Sequence, residues 1–278
     1  MRTLARTLWI MVALVILLVT WGWLGLQVDS GSFTPVFTSA VPHKNPLSPN
    51  LPAPVLRFAQ VLFSDGVPDV RSAMVLGQAR LAPTGLPMPT RFRFYYDAAR
   101  SAHYHDIQVT WFTLPFMRIH ERNLDGHATL DMGIIGRVDD MPQTNRSAVQ
   151  GYWGEVLAWV PSIALTDLRV RWEAIDATTA RLYLPGLDDV EAFTVHFDAD
   201  TGLMTEFETM RYQEEGNAER GRWINRVIEW GVVDGLRVPI RAQTQWNDDI
   251  PWANWRVEQV MLDVDVSARM NQFGGDVP

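Results

Sequence analysis

Leu8 to Leu26, LWIMVALVILLVTWGWLGL, runs nineteen residues without a charge. As a helix it spans about 28 Å, close to the roughly 30 Å hydrocarbon core of a bilayer. Eleven of the nineteen are Leu, Ile or Val, and together these contribute on the order of −3 to −7 kcal/mol to insertion. A helix apolar on every face has no side to show water, so it does not sit as a surface helix of a soluble core. The run therefore divides the chain into a greasy rod and a separate body.

Arg2 and Arg6 precede the run and Asp29 follows it. The positive-inside rule then puts residues 1–7 in the cytoplasm, an anchor over 8–28 in the inner membrane, and the rest outside or in the periplasm. Trp21 and Trp23 fall near the outer end and Trp9 near the inner end, where indoles favour the interface. The first two are expected contacts with membrane or partner. The rival is a cleaved signal peptide, whose apolar region is usually shorter, about 7–15 residues. Thr38-Ser39-Ala40 offers only a poor and distant cleavage site. Residues 29–50 carry Pro35, Pro42, Pro46 and Pro49 and read as an extended tether, with a strand around Phe33–Phe37 as the other reading.

In the body, assigned to 51–270 with a tail over 271–278, one helix begins near Pro52 or Pro54. It carries Val55, Phe58, Ala59 and Leu62 on one stripe, and Ser64-Asp65-Gly66 closes it. A second helix covers Asn145–Val160, with Val149, Trp153, Val156, Leu157 and Val160 on one face and Pro161 as its stop. Elsewhere period two dominates: Phe92, Phe94, Tyr96; Ile107, Val109, Trp111; Ala180, Leu182, Leu184; Phe193, Val195, Phe197; and Val238 through Trp246. Such alternation gives antiparallel strands with one buried face. Turn signals at Asp125-Gly126, Pro185-Gly186, Asp200-Thr201-Gly202, Asp234-Gly235 and Asn247-Asp248-Asp249 separate them. The expected fold is α+β: a curved, largely antiparallel sheet of about eight to eleven strands closed by two packed helices.

The stretches FSDGVPDVRSA (63–73), ERNLDGHATL (121–130), YWGEVLAWVPSIAL (152–165), VRWEAIDATTARLYLP (170–185), FDADTGLMTEFETMRY (197–212) and WNDDIPWANWRVEQV (246–260) resemble an uncharacterised bacterial domain-of-unknown-function family. The resemblance implies a curved antiparallel sheet with helices against it. That is similar to the half-barrels of periplasmic lipoprotein carriers. It implies no reaction and no catalytic residues.

Composition excludes several functions. With no cysteine there is no disulfide, thiolate metal site or cysteine nucleophile. A net charge of −8 argues against nucleic acid as a partner. No G-x-S-x-G elbow, P-loop or dinucleotide-binding glycine pattern occurs. His103 and His105 share a strand face, and imidazoles at that spacing can ligate zinc if Asp106, His120 or His127 comes near. The plainer expectation is a strand end with hydrogen-bonded histidines, no metal and no cofactor. Asp198–Gly202 departs from a calcium loop and reads as a hairpin turn.

The expected role is binding rather than catalysis: a membrane-anchored extracytoplasmic protein for a lipid or other apolar ligand, with Phe92, Phe94, Trp111, Trp153 and Trp246 lining the site. Trp252 and Trp255 are expected at a membrane or partner surface. One alternative is an accessory subunit of a larger membrane complex, with Thr20, Gly22 and Gly25 allowing close helix approach. A third is an envelope enzyme using Glu155 and Asp176, with Asp198, Glu206 or Glu208 converging on them.

Overall fold

The structure is a computed structural model that describes residues 2–36, 42–271 and 273, the first four of these by backbone alone. Phe37, the Thr38–Ala40 stretch and most of the C-terminal tail lie outside the described residues.

Helix α1, Arg2–Gln27, contains the apolar run. A two-stranded ribbon follows from β1, Lys44–Asn45, and β2, Val67–Pro68, which flank α2, Ala53–Leu62. Pro52 and Pro54 open α2, and Val55, Phe58 and Ala59 are its buried stripe. The helix stops at Leu62, ahead of Gly66, which takes φ +113° in the turn that leads into β2.

The first half of the sheet is an up-and-down run: β3 (Ser72–Leu81), β4 (Met88–Asp97), β5 (Ala102–Trp111), β6 (Leu114–Leu124), β7 (His127–Asp131) and β8 (Arg137–Asp139). The chain then crosses through α3, Pro142–Trp159, and α4, Pro161–Thr166. The second half runs back through β9 (Arg171–Ala174), β10 (Thr179–Tyr183), β11 (Phe193–Phe197), β12 (Met204–Arg211), β13 (Gly221–Val233), β14 (Leu236–Trp246) and β15 (Ala253–Leu262), and α5, Ser267–Asn271, ends it. β15 pairs with β3, so the two runs join at the centre of one 13-stranded antiparallel sheet whose edges are β8 and β9. The sheet exceeds the expected strand number in part because β7 and β8, of five and three residues, are too short to show a clear alternation.

α3 contacts β6 and β7 on one side and β12 and β14 on the other, so the sheet wraps around it. The expected helix gains a turn at its start, where Pro142 suits the first helical position. Pro161 stops α3 and opens α4, a short helix that periodicity did not reveal. Phe92, Phe94 and Tyr96 of β4, Trp153 and Trp159 of α3, and Phe193 of β11 form one core with α2 and α4. At Gly77 of β3 a Cβ would stand 2.1 Å from the Arg256 carbonyl oxygen, beside the irregularity at Val257/Gln259 of β15. Only glycine lets the two central strands come that close. A smaller cluster on the convex face packs Met74, Leu76, Tyr95 and Tyr104 against Met261, Val266 and Met270, with α5 as its lid.

The predicted turns at Asp125-Gly126 and Asp234-Gly235 both have positive φ at each residue, the backbone of a two-residue hairpin turn. The β5–β6 turn is unlike them. Phe112 and Thr113 hold φ +47° and +68°, a conformation costing roughly 1–2 kcal/mol per residue for side chains with a Cβ. It meets the end of α1: Phe112 N–H donates to the Gly25 carbonyl, Trp111 Nε1 donates to the Gly22 carbonyl at 3.1 Å, and Trp21 packs on Phe112 with centroids 4.8 Å apart. The Trp111 indole occupies the space a Cβ at Gly25 would need.

The described part of 29–36 lies along the body. Ser30 donates to the Thr90 carbonyl at 2.9 Å, Phe33 lies under the Arg93 guanidinium, and Val36 N–H donates to Gln259.

Candidate functional site in the concave face

On β5, alternation turns His103, His105, Ile107 and Val109 toward α3 and sends Tyr104, Asp106 and Gln108 to the convex side. Register sets Tyr96 opposite His103 and Phe94 opposite His105 on β4, and Glu121 opposite His105 on β6. Glu155 comes down from α3. The result is a polar cluster at the edge of an aromatic core. His103 and His105 are 0% and 3% exposed. The Glu121 and Glu155 carboxylates keep 26% and 18% of their side-chain surface, so water reaches the cluster along them.

His105 Nε2 stands 2.8 Å from Glu155 Oε2, which also accepts from Tyr96 Oη at 2.9 Å. His103 Nε2 stands 3.4 Å from Glu121 Oε1, and His105 Nδ1 stands 3.4 Å from Glu121 Oε2. His103 Nδ1 is buried with no hydrogen-bond partner. The imidazoles stack on each other 4.3 Å apart, between Phe94 at 3.9 Å from His105 and Tyr152 at 6.4 Å from His103. From β12, the half-buried Arg211 lies over Trp223 and its positive charge acts on both carboxylates.

Burial alone would lower the pKa of His105, but Glu155 and the hydrogen bonds with Glu121 outweigh it and raise it to about 9. Burial and the neighbouring His105 lower that of His103. Burial would raise Glu121, yet the two imidazoles hold it well below the ordinary carboxylate range. Burial, then Glu155, raises Tyr96 well above its usual value. The shifts favour charge on His105 and Glu121 and disfavour it on His103.

The expected third ligands of the histidine pair go elsewhere. Asp106 pairs with Arg93 on the convex face, His120 bonds Tyr104 at 2.8 Å, and His127 pairs with Asp140 at the exposed β7 end. Glu121 takes that place, and sequence reading missed it. The acids considered for catalysis also disperse. Asp176 caps Thr178 in the β9–β10 turn, Asp198 caps Thr201, Glu206 pairs with Arg226, and Glu208 with Arg222. Of that set, Glu155 alone reaches the cluster.

The aromatic residues expected to line a ligand are placed in several ways. Phe92, Phe94 and Trp153 are 0–1% exposed and packed against one another and α3. A lining role for them needs α3 to lift from the sheet. Trp111 clasps α1, and Trp246 lies half-buried over Gly221. Trp252 and Trp255 turn inward: Trp255 Nε1 donates to Thr244 at 2.9 Å and its ring meets Phe92 edge-on at 5.4 Å. Leu114 and Phe116 of the β5–β6 hairpin, whose Phe112 meets Trp21, are exposed at 66% and 58%.

An open groove of about 680 Å³ lies on the other side of the central strands. β14 pairs with β15 only between Arg241–Arg256 and Thr244–Ala253, and beyond that the β13–β14 hairpin splays away. Phe33, Pro35, Leu76, Val232, Val233, Ile240 and Val257 form the groove's apolar lining, with Arg241 and Arg256 beside them.

Together these features define an α+β protein with an apolar N-terminal helix and an open, curved antiparallel sheet wrapped on a central helix, with no closed barrel among the described residues. The chain belongs to a family of unknown function, DUF6544, whose family model matches residues 41–256. Compared with curated proteins, the sequence matches none. Among solved structures it is similar to a DUF1329 family protein from Desulfovibrio piger (9% identity, 79% of this chain and 94% of that one, TM-score 0.45). It is also similar to a LolA superfamily protein from Nitrosomonas europaea (12% identity, 79% and 96%, TM-score 0.44). The family resemblance read from the motifs is met by the family model, and the curved antiparallel sheet with helices against it is the architecture the structure shows.

Proposed function

We propose that this protein is held in the inner membrane by α1 and binds a lipid or another apolar molecule on its outer side, in the groove beside β14 and β15. The groove carries the reading. Its volume lies in the range of about 300–1,000 Å³ usual for ligand sites, and seven of its lining side chains are apolar. Phe33 and Pro35, from the segment that follows α1, form part of its wall, so a molecule leaving the bilayer meets it close to the span.

The test is native mass spectrometry of the full chain extracted in a detergent without acyl chains. One lipid-sized adduct is expected. Val232→Asp combined with Ile240→Asp puts carboxylates where the apolar chain would lie and is expected to weaken binding at least tenfold, about 1.4 kcal/mol. A wild-type chain with no adduct, or an adduct indifferent to these changes, would refute the reading.

The span supports the anchoring. Arg6–Gln27 is a 22-residue helix of mean hydropathy 2.2, long and apolar enough to cross a bilayer. Full-length protein is expected to stay with membranes in alkaline carbonate, with a C-terminal alkaline phosphatase fusion active outside the cytoplasm. A freely released, shortened chain would instead identify α1 as a cleaved signal sequence. The exposed Leu114 and Phe116, on the hairpin whose Phe112 meets Trp21, favour a second reading, in which the body braces a neighbouring membrane protein. Co-migration with a fixed partner after gentle extraction distinguishes it.

A further inference from the structure

The geometry points to a divalent transition-metal site on the concave face, with His103, His105 and Glu121 as ligands and Glu155 as the support behind His105. This site is separate from the apolar groove and stands or falls independently of it.

Three observations carry the proposal. First, the donor set has the right chemistry and spacing. One donor atom from each of the three side chains lies within 4.8 Å of the others. The contacts from His103 Nε2 and His105 Nδ1 to Glu121 are both 3.4 Å, long for N–H···O bonds, whose usual length is about 2.9–3.0 Å. An ion bound tetrahedrally by bonds of about 2.0–2.1 Å holds its ligand atoms about 3.3 Å apart. These two contacts reach different oxygens of Glu121, and the three donors lie within 4.8 Å of one another, so small side-chain adjustments bring them to that spacing around an ion.

Second, the protein's own hydrogen bonds orient one of the donors. His105 Nε2 faces Glu155 at 2.8 Å, and Tyr96 Oη holds the same carboxylate oxygen. An ion arriving at His105 Nδ1 would displace the proton there and leave Nε2–H donated to Glu155, the usual support behind a metal-bound imidazole.

Third, the site is rigid and reachable. Phe94, the stacked imidazoles and Tyr152 fix the rings, while Glu121 and Glu155 remain partly open to water. Two imidazoles and one carboxylate, with further positions left for water, suit zinc, iron(II), cobalt(II) or manganese(II) rather than calcium or magnesium.

The experiment uses tag-free full-length protein in detergent, stripped with EDTA and titrated with Zn²⁺, and in parallel with Co²⁺ followed by its visible absorption. One equivalent of Zn²⁺ is expected to bind, with an intensified cobalt spectrum that zinc abolishes. Glu121→Gln keeps the side-chain shape and is expected to weaken binding at least 100-fold. Glu155→Gln is expected to weaken it 10- to 100-fold. His127→Ala, at the exposed pair with Asp140, is expected to leave it unchanged. Thermal unfolding without metal checks that each variant is folded. If His103→Ala or His105→Ala fails to fold, the glutamate variants still decide the matter. Absence of saturable one-to-one binding in the wild type would overturn the proposal, as would binding equally tight in folded Glu121→Gln.

Discussion

Trp153→Ala is expected to destabilise the fold by about 3–5 kcal/mol, the usual cost of emptying a large aromatic site in a packed core. Trp153 is fully buried at the middle of α3 and meets Tyr152 edge-on with centroids 5.1 Å apart. It lies where the two halves of the sheet face one helix, so neighbours held by thirteen hydrogen-bonded strands have little freedom to close a cavity. At roughly 2–4 °C per kcal/mol for a body this size, the melting temperature should fall by about 6–20 °C. Ile134→Ser is the matched control, since Ile134 is fully exposed and surface changes usually stay within about 0.5 kcal/mol. Calorimetry in one detergent gives both values. A shift of only a degree or two for Trp153→Ala would mean that α3 does not organise the core.

Arg146→Ala is expected to cost about 3–5 kcal/mol near neutral pH, because it strands a buried carboxylate. Glu191 has no exposed surface. Arg146 holds it from α3 through two contacts, one of them Nε to Oε1 at 3.0 Å, and Asp188 N–H donates to it at 3.0 Å. Arg220 stands 3.5 Å away as a second cation, which puts the expectation at the lower end of the range. Burial would raise the Glu191 pKa, but Arg146 outweighs it and the value is lowered. A lowered pKa stabilises the folded state above the ordinary carboxylate pKa, and this contribution fades as pH falls through the folded value. Without Arg146, burial prevails and the carboxyl takes up a proton more readily. The loss in Arg146→Ala should therefore be larger at pH 7 than at pH 4.5, and Glu191→Gln added to it should recover part of the stability at pH 7. Denaturant unfolding at the two pH values checks both points. An equal loss at each would show that the pair contributes through packing alone.

Local signals made much of this architecture legible. The stripe from Val149 to Val160 defines α3 because 3.6 residues per turn brings those side chains to one face. Asp125-Gly126 and Asp234-Gly235 define hairpins because they accept positive φ at little cost. The histidine cluster was only half legible for the same reason. His103 and His105 share a face by strand geometry alone, whereas Glu121 reaches them through the β5–β6 register. That register is set by a turn at Phe112-Thr113, two residues that rarely form one. A further slip at Val109/Thr110 moves it again. α1 secures the turn through Gly22 and Gly25, a contact over some ninety residues of sequence that no local pattern encodes. The inward course of Trp252 and Trp255 was hidden likewise, since it depends on β15 being a central strand rather than an edge.

The pairing of β3 with β15 sets a timetable for the growing polypeptide. β3 emerges early and finds β4 at once, but its other flank has no mate until nearly the whole chain has been made. During that interval an unsatisfied row of backbone donors and acceptors stands ready to recruit any stray strand. Slow translation, crowding or loss of β15 would therefore promote self-association through that flank.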